Sequence, residues 1–113
     1  MSAITTHVLD TARGKPAGGI PITLEWKNPD GAFERVGAGS TDADGRLRDL
    51  LKDIALSTGV YRITFDVAAY HRAVDAESFY PEVSVVFVVT DAGAHYHVPL
   101  LLSPFGFSTY RGS

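Results

Sequence analysis

The chain has 113 residues, 45% of them hydrophobic, which is the size and composition of one globular domain and not of a disordered segment. It contains no cysteine, which excludes disulfides, thiolate catalysis and cysteine-ligated zinc. The net charge of −3 arises from scattered acidic and basic residues, and without a basic run we expect no nucleic-acid partner. No apolar run approaches the roughly 20 residues of a membrane span, and the N-terminal residues lack a secretory pattern, so we expect a cytoplasmic protein with no membrane contact.

Turn-forming sequences divide the chain at short intervals. They are NPDG at 28–31, DADG at 42–45, DAG at 91–93 and SPFG at 103–106. The runs between them are rich in β-branched and aromatic residues, which predicts strands near 3–10, 20–27, 33–40, 45–49, 59–66, 82–90, 94–103 and 105–111. Short strands at this spacing are typical of an antiparallel sandwich or barrel, so residues 1–113 are predicted to form a single, mostly β domain.

One segment is predicted to be helical. Residues 66–73, DVAAYHRA, contain several alanines and no turn residues, and Asp66 is a suitable N-cap for a short helix. His71 stands beside Arg72 in this segment, and we predict that it is a solvated helix residue without a catalytic role.

The strand near 94–103 has two unequal faces, because successive side chains of a strand point in opposite directions. The predicted core face is continuously apolar: Tyr96, Val98, Leu100 and Leu102. The other face carries His95, His97, Pro99 and Leu101. If the first and last strands lie beside this one, His7, Ser108 and Tyr110 project from the same outer face. Imidazoles mixed with apolar groups indicate a protein–protein contact that also encloses a polar site.

The residue pattern alone leaves the chemistry of this face open. His95 and His97 could be two surface histidines, and zinc would need at least three protein ligands, for which no cluster is visible; we predict no metal and no cofactor. Arg46, taken alone, is a hairpin arginine on a solvated rim, and Arg48 would share its face. The chain has neither a P-loop nor a G-x-S-x-G nucleophile elbow. The pattern therefore predicts a β-sandwich that forms oligomers and has a histidine-bearing face.

Three blocks of the sequence resemble the transthyretin-like 5-hydroxyisourate hydrolases, which are enzymes of urate breakdown. The blocks are THVLDTARGKPA at 6–17, TDADGR at 41–46 and HYHVPLLLSPFGFSTYRGS at 95–113. The terminal YRGS is the most specific of them, and transthyretin, the hormone carrier of the same fold, lacks it together with the catalytic His and Arg set. Phe105 and Phe107 stand where the family usually has tyrosines, which removes two hydroxyls but keeps the aromatic packing.

The resemblance implies a transthyretin-like antiparallel β-sandwich of two four-stranded sheets with one short helix. It also implies a homotetramer, a dimer of dimers, with active sites at the dimer–dimer interface. The implied catalytic residues are His7, Arg46 and His97, which would also bind substrate. The terminal residues Tyr110, Arg111, Gly112 and Ser113 are expected to complete the substrate pocket, and His95 is expected to play a supporting part.

The implied reaction is hydrolysis of one cyclic amide of 5-hydroxyisourate to give 2-oxo-4-hydroxy-4-carboxy-5-ureidoimidazoline. Two histidines suit general acid–base catalysis near neutral pH, and Arg46 would orient the substrate and stabilise the oxyanion. Ser113 is expected to position water or a histidine and not to act as a nucleophile. The alternatives are a carrier that binds a small hydrophobic ligand in the tetramer channel and a structural sandwich of adhesion type. Two imidazoles, a guanidinium and a polar terminal tail that converge on one cavity favour the hydrolase over the carrier. The adhesion type is disfavoured because it is more usual in secreted multidomain chains, and neither a signal sequence nor a linker is visible.

Overall fold

The computed structural model describes residues 3–51 and 55–112. In chain order, its elements are β1 (Ile4–Asp10), β2 (Lys15–Pro16), β3 (Pro21–Lys27), β4 (Phe33–Ser40), β5 (Arg46–Leu47), β6 (Gly59–Phe65), α1 (Val67–Ala73), β7 (Val83–Val89), β8 (Tyr96–Ser103) and β9 (Gly106–Thr109). Each predicted strand overlaps an observed one, and the predicted helix matches α1. Ser113, which was predicted to contribute to the substrate pocket, lies outside the described residues.

The strands form two sheets. The first has the order β2-β1-β8-β9, with β5 also paired to β1, and the second has the order β4-β3-β6-β7. The predicted two-sheet sandwich with one helix is confirmed, with two differences. The first sheet has five strands, since the two-residue β2 is too short to produce a recognisable alternation. In addition, β1 and β8 run parallel, and residue alternation does not reveal the relative direction of strands far apart in the chain.

The core lies between the two sheets and confirms the predicted core face of β8. Leu100 and Leu102 are almost completely buried, and they belong to one cluster with Leu24 of β3 and Ile63 of β6. The alternation that buries them necessarily turns His97 and Leu101 to the outer surface of the first sheet. Packing of the core therefore fixes which side chains of β8 can form a site.

The short helix begins at the predicted N-cap. The Asp66 side chain accepts a hydrogen bond from the Ala69 N–H at 3.1 Å, which satisfies one of the free donors of the first turn. Val67, Tyr70 and His71 are buried, and this spacing of three and four residues places them on one side of the helix. In the described ranges, no helix has the length and apolar character needed to span a membrane.

The prediction that His71 is solvated was wrong. Its side chain lies on the inward side of α1 with only 2% of its surface exposed, and Nδ1 is 3.0 Å from the Ser78 hydroxyl. Nε2 has no hydrogen-bond partner among the described residues. Burial lowers the pKa of His71, although the nearby Asp10 carboxylate acts in the opposite direction. The neutral imidazole is therefore the form that the native state accommodates.

We expect His71 to make the protein less stable as the pH falls. Below a pH of about 6.5 the unfolded imidazole binds a proton that the native one still excludes, so the free energy of unfolding declines until the lowered native pKa is reached. A single titrating histidine changes the free energy of unfolding by at most about 1.4 kcal/mol per pH unit. Urea unfolding of the wild type and His71→Gln between pH 7.5 and 5.5 measures this. The free energy of unfolding should depend less on pH in the variant than in the wild type. An equal dependence in both proteins would show that His71 does not cause it.

Candidate active site

The outer face of the first sheet brings together side chains from three strands. His7 of β1 is paired with Arg46 of β5 on one side and with Pro99 of β8 on the other, while Thr5 is paired with His97. Residues paired directly across neighbouring strands project from the same face of the sheet. His7, Arg46 and His97, which were singled out from the sequence, thus share one face. Their arrangement follows from the register of β1 against β5 and β8.

His7 is oriented by the turn that precedes β5. Its Nε2 lies 2.9 Å from the Asp44 carbonyl oxygen. Because a carbonyl can only accept a hydrogen bond, this nitrogen carries the proton, and in the neutral ring Nδ1 keeps its lone pair. The free lone pair of Nδ1 is then available to accept a hydrogen bond from water or from a substrate N–H.

The turn before Arg46 is fixed by hydrogen bonds to Asp42 and by a close approach of Gly45 to β1. The Asp42 carboxylate accepts hydrogen bonds from the backbone N–H groups of Asp44 at 2.9 Å and Arg46 at 3.0 Å. The bond from Arg46 is the largest cause of the lowered pKa of Asp42. Gly45 has φ +74°, and a Cβ there would lie 2.4 Å from the Val8 carbonyl oxygen. Only glycine lets the turn approach β1 so closely, and Arg46 starts β5 directly after it.

His97 is half-buried, and its ring is held by a side chain that the sequence analysis did not single out. Thr5 Oγ1 lies 2.8 Å from its Nδ1, which leaves Nε2 to face the site. The pKa of His97 is lowered, first by burial and then by the positive charges of His95, Arg46 and His7, whereas the Thr5 backbone carbonyl acts in the opposite direction. A lowered pKa keeps the ring neutral at pH 7 and able to accept a proton.

The C-terminal residues lie beside His97. The Gly112 N–H donates a hydrogen bond to the His97 carbonyl oxygen at 2.8 Å, in an isolated antiparallel bridge. The Arg111 guanidinium stands 4.5 Å from the centre of the Tyr96 ring. Since Tyr96 belongs to the opposite face of β8, this side chain points away from the face of His7 and Arg46. Within this chain, therefore, Arg111 lies apart from His7 and Arg46, although it lines a groove together with His97 and Tyr110.

A groove of about 230 Å³ runs along the open edge of the sandwich next to these residues. Its lining is mostly apolar and consists of Val85, Phe87, Val88, Tyr96, His97, Val98, Thr109, Tyr110 and Arg111. His97 borders this groove and neither His7 nor Arg46 does, so the groove adjoins the polar site on the outer face without containing all of it. Among residues 3–51 and 55–112, no three His, Asp or Glu side chains form a group that could hold a metal ion.

Gly112 offers a test of this geometry. A Cβ at position 112 would lie 2.6 Å from His97 Cδ2 and 3.2 Å from Pro99 Cγ, so Gly112→Ala must displace the terminal segment or the His97 ring. Gly106→Ala is the matched control, because its Cβ would meet only the Ser103 hydroxyl at 3.8 Å. We expect Gly112→Ala to lower kcat/KM by about 10- to 100-fold, since a shift near 1 Å can cost that much, and Gly106→Ala to change it little. Steady-state kinetics measures both, and equal effects would contradict the predicted contact.

Comparisons with known proteins agree with this fold. A model described as the HIUase/Transthyretin family matches residues 4–112. A curated relative from Ralstonia nicotianae, named 5-hydroxyisourate hydrolase, is 45% identical over 118 aligned positions that cover 100% of both chains. The crystal structure of sea bream transthyretin in complex with thyroxine has a TM-score of 0.92 and 33% identity, and the match covers 98% of this chain and 95% of that one. The structure of Klebsiella pneumoniae 5-hydroxyisourate hydrolase has a TM-score of 0.86 and 33% identity, with 100% of both chains covered.

The structural neighbours include a transthyretin in complex with thyroxine and a protein named 5-hydroxyisourate hydrolase, so the backbone alone does not separate binding of a ligand from hydrolysis. Membership of the family can be decided without separating these two activities. The family match spans nearly the whole chain, and the Ralstonia relative is similar from end to end. The chain belongs to the HIUase/Transthyretin family.

Proposed function

We propose that this protein is a 5-hydroxyisourate hydrolase, which opens one cyclic amide bond of its substrate with water in urate breakdown. The observation that carries the proposal is the register that puts His7, Arg46 and His97 on one outer face. The names of the Ralstonia and Klebsiella relatives point to the same substrate. A binding protein for an apolar ligand has no need of two imidazoles and a guanidinium on a single face.

His97 is the proposed general base. Its Nδ1 faces Thr5, and the lowered pKa keeps the ring neutral at pH 7, so Nε2 can take a proton from water in the tautomer that carries its proton on Nδ1. The water oxygen then bonds to the amide carbon, and the carbonyl electron pair moves to its oxygen. Collapse of this intermediate breaks the C–N bond, and the departing nitrogen receives a proton from the site. The free Nδ1 of His7 would orient the water or the substrate.

Arg46 is the proposed stabiliser of the oxyanion. Arginine remains protonated at any pH at which the protein folds, and its planar donors match carbonyl and oxyanion oxygens. In the described part of the chain Arg46 has no ion-pair partner, whereas Arg48 lies 3.8 Å from the Asp42 carboxylate. The charge of Arg46 is thus available to the substrate, and that of Arg48 is partly neutralised.

The terminal residues Tyr110, Arg111 and Ser113 are proposed to bind substrate in the assembled protein. Gly112 ties the end of the chain to His97 through a backbone hydrogen bond, which supports a role for the residues on either side of it. Arg111 stacks on Tyr96 within its own chain, so we propose that it contributes by holding the terminal segment or by reaching a site formed with another subunit.

The proposed assembly is a homotetramer, a dimer of dimers, with the active sites where the dimers meet. Two kinds of surface support association. The outer face of the first sheet places half-buried Leu9 and Leu101 beside the polar site, and the end strand β7 exposes Val86 and Val88. Apolar groups on an outer face and on an unpaired edge favour contact with another subunit. Sedimentation equilibrium should give four chains, and a monomer at micromolar concentration would contradict the assembly.

A cytoplasmic location stays a prediction.

The similarity to a transthyretin bound to thyroxine makes a carrier the second candidate. An ultraviolet time course of freshly generated 5-hydroxyisourate, with and without the protein, separates the two functions. A hydrolase accelerates the loss of absorbance in proportion to protein concentration, above the spontaneous decay seen without protein. A carrier leaves the decay unchanged and instead binds thyroxine, which fluorescence competition would detect.

A further inference from the structure

Thr5 lies between two imidazoles on the outer face of the first sheet. Its Oγ1 is 2.8 Å from His97 Nδ1 and 3.0 Å from His95 Nε2. The two rings are inclined by only 24°, with centres 6.4 Å apart. Thr5 itself is 4% exposed, whereas His95 is exposed to solvent. A buried hydroxyl therefore connects the half-buried ring of the proposed base to a ring in contact with water.

The number of protons in this group restricts its hydrogen bonds. A hydroxyl has one proton and can donate to only one of the two nitrogens that it faces. When Thr5 donates to His95 Nε2, it accepts from His97 Nδ1–H, and His97 Nε2 carries a lone pair. When the bonds are reversed, Thr5 donates to His97 Nδ1, and His97 Nε2 carries the proton. The direction of this chain of hydrogen bonds thus determines whether His97 presents a base or an acid to the site.

We propose that Thr5 is a positioning residue that sets the tautomer of His97 and relays protons between His97 and the exposed His95. The inference rests on the proposed role of His97 as the base. After His97 Nε2 accepts a proton from water, the proton on Nδ1 moves to Thr5 Oγ1, while the hydroxyl proton of Thr5 moves to His95 Nε2. His95 then releases its Nδ1 proton to solvent, so each group gains and loses one proton.

The reverse transfer completes the cycle. After the outward step, His97 carries its proton on Nε2. A proton taken up from solvent at His95 Nδ1 returns through Thr5 to His97 Nδ1, and Nε2 gives its proton to the departing nitrogen. The two transfers restore the original tautomers of both rings.

The surroundings of His97 favour the outward step. The charged or titratable groups that act on the ring are His7, Arg46 and His95, and together with burial they lower its pKa. A proton on His97 is therefore disfavoured, whereas the ring of His95 is exposed and in contact with water. The relay would keep the proposed base neutral by passing its proton to the exposed ring of His95.

The first test removes the hydroxyl while keeping the branched shape of the side chain. Thr5→Val should lower kcat by about 10- to 100-fold, as loss of a partner that orients a functional group does in metal sites, with KM nearly unchanged. Thr5→Ser, which keeps the hydroxyl, should restore most of the rate. Nitrogen-15 NMR of His97 reports which ring nitrogen carries the proton. This tautomer should not change if Thr5 has only a structural role. Protonation at Nδ1 should dominate in the wild type and be lost in Thr5→Val.

The second test removes the exposed end of the relay. His95→Gln keeps a polar side chain but cannot transfer a proton, so its kcat should fall and should rise again as imidazole is added. The wild type should show no dependence on imidazole. Wild-type kcat in both Thr5→Val and His95→Gln would overturn the relay, as would loss of activity in Thr5→Val with an unchanged His97 tautomer and no imidazole effect in His95→Gln.

A variant of His97 separates this inference from the proposed function. If His97→Asn is inactive while Thr5→Val and His95→Gln match the wild type, the relay is refuted and the proposed base stands. If His97→Asn is fully active, the proposed base is wrong, and the relay is refuted with it.

Discussion

Replacing His97 with asparagine is expected to lower kcat for 5-hydroxyisourate by roughly 10²- to 10⁴-fold, the range typical of a lost general acid–base group. Asparagine can occupy the position of Nδ1 opposite Thr5, but it cannot accept a proton from water at neutral pH. His97 is half-buried on the outer face and is not part of the apolar core, so the fold should survive. Steady-state kinetics, with circular dichroism on the same samples, measures both expectations.

His71→Gln is the matched control for this experiment. It also removes one imidazole, but from the inward side of α1, away from the outer face of the first sheet. We expect wild-type turnover from it at pH 7.5, where the protein remains folded. If folded His97→Asn keeps a rate within a few-fold of the control, His97 has no part in the chemical step.

Replacing Arg46 with alanine is expected to lower kcat/KM by roughly 10²- to 10³-fold, which is the usual cost of losing one donor to an oxyanion. Arg46→Lys should recover only part of this loss, because an ammonium keeps the charge but not the planar pair of donors. The turn itself should persist in both variants, since Asp42 holds it through the backbone N–H groups and not through the Arg46 side chain.

Arg48→Ala provides the control for charge. Arg48 lies two residues further along and pairs with Asp42, so removing it changes the net charge equally without removing the proposed donor. Kinetics of Arg46→Ala and Arg48→Ala at the same ionic strength should differ by at least tenfold. Equal losses would mean that general electrostatic attraction, and not a specific contact of Arg46, supports catalysis.

Much of the fold could be predicted from the sequence, because burial of one face imposes a period of two on each long strand. The core face of β8 is the clearest example, since Tyr96, Val98 and Leu100 are buried as expected. The two-residue β2 and the parallel pairing of β1 with β8 could not be predicted, because neither leaves a periodic trace. His71 was misjudged because a charged neighbour suggested solvent, whereas its spacing from Val67 and Tyr70 places it on the inward side.

The candidate site was predictable where motifs and alternation coincide. His7 and His97 were expected on one outer face from alternation, and Arg46 was implied as their partner by the family resemblance; the register places all three on that face. Thr5 was missed because threonine is common in strands and has no chemical signature of its own. Its position two residues before His7 was the available clue, but contact with His95 and His97 depends on the pairing of β1 with β8. Arg111 differs from Thr5 in that the terminal motif predicted it as a substrate-binding residue. In the structure its side chain lies against the Tyr96 ring, and the motif alone does not reveal this orientation.

The family supports at least two uses of one backbone. The fold of this chain is at least as similar to a thyroxine-bound transthyretin as to a hydrolase, so a difference in activity depends on side chains and not on the backbone fold. In this chain the outer face carries three imidazole rings, a guanidinium and a buried hydroxyl that lies within hydrogen-bond distance of two of the rings. These groups are suited to moving protons during hydrolysis of a polar ring.

The most direct test of the account is the rate at which oxygen-18 from labelled water enters the product of 5-hydroxyisourate. Substrate is prepared in ordinary water, diluted into labelled water with or without the protein, and followed by mass spectrometry. The account predicts one labelled oxygen per product molecule, incorporated at a rate that follows substrate loss and increases with protein concentration. Incorporation no faster than in the protein-free control, or substrate loss without label, would contradict hydrolysis by this protein.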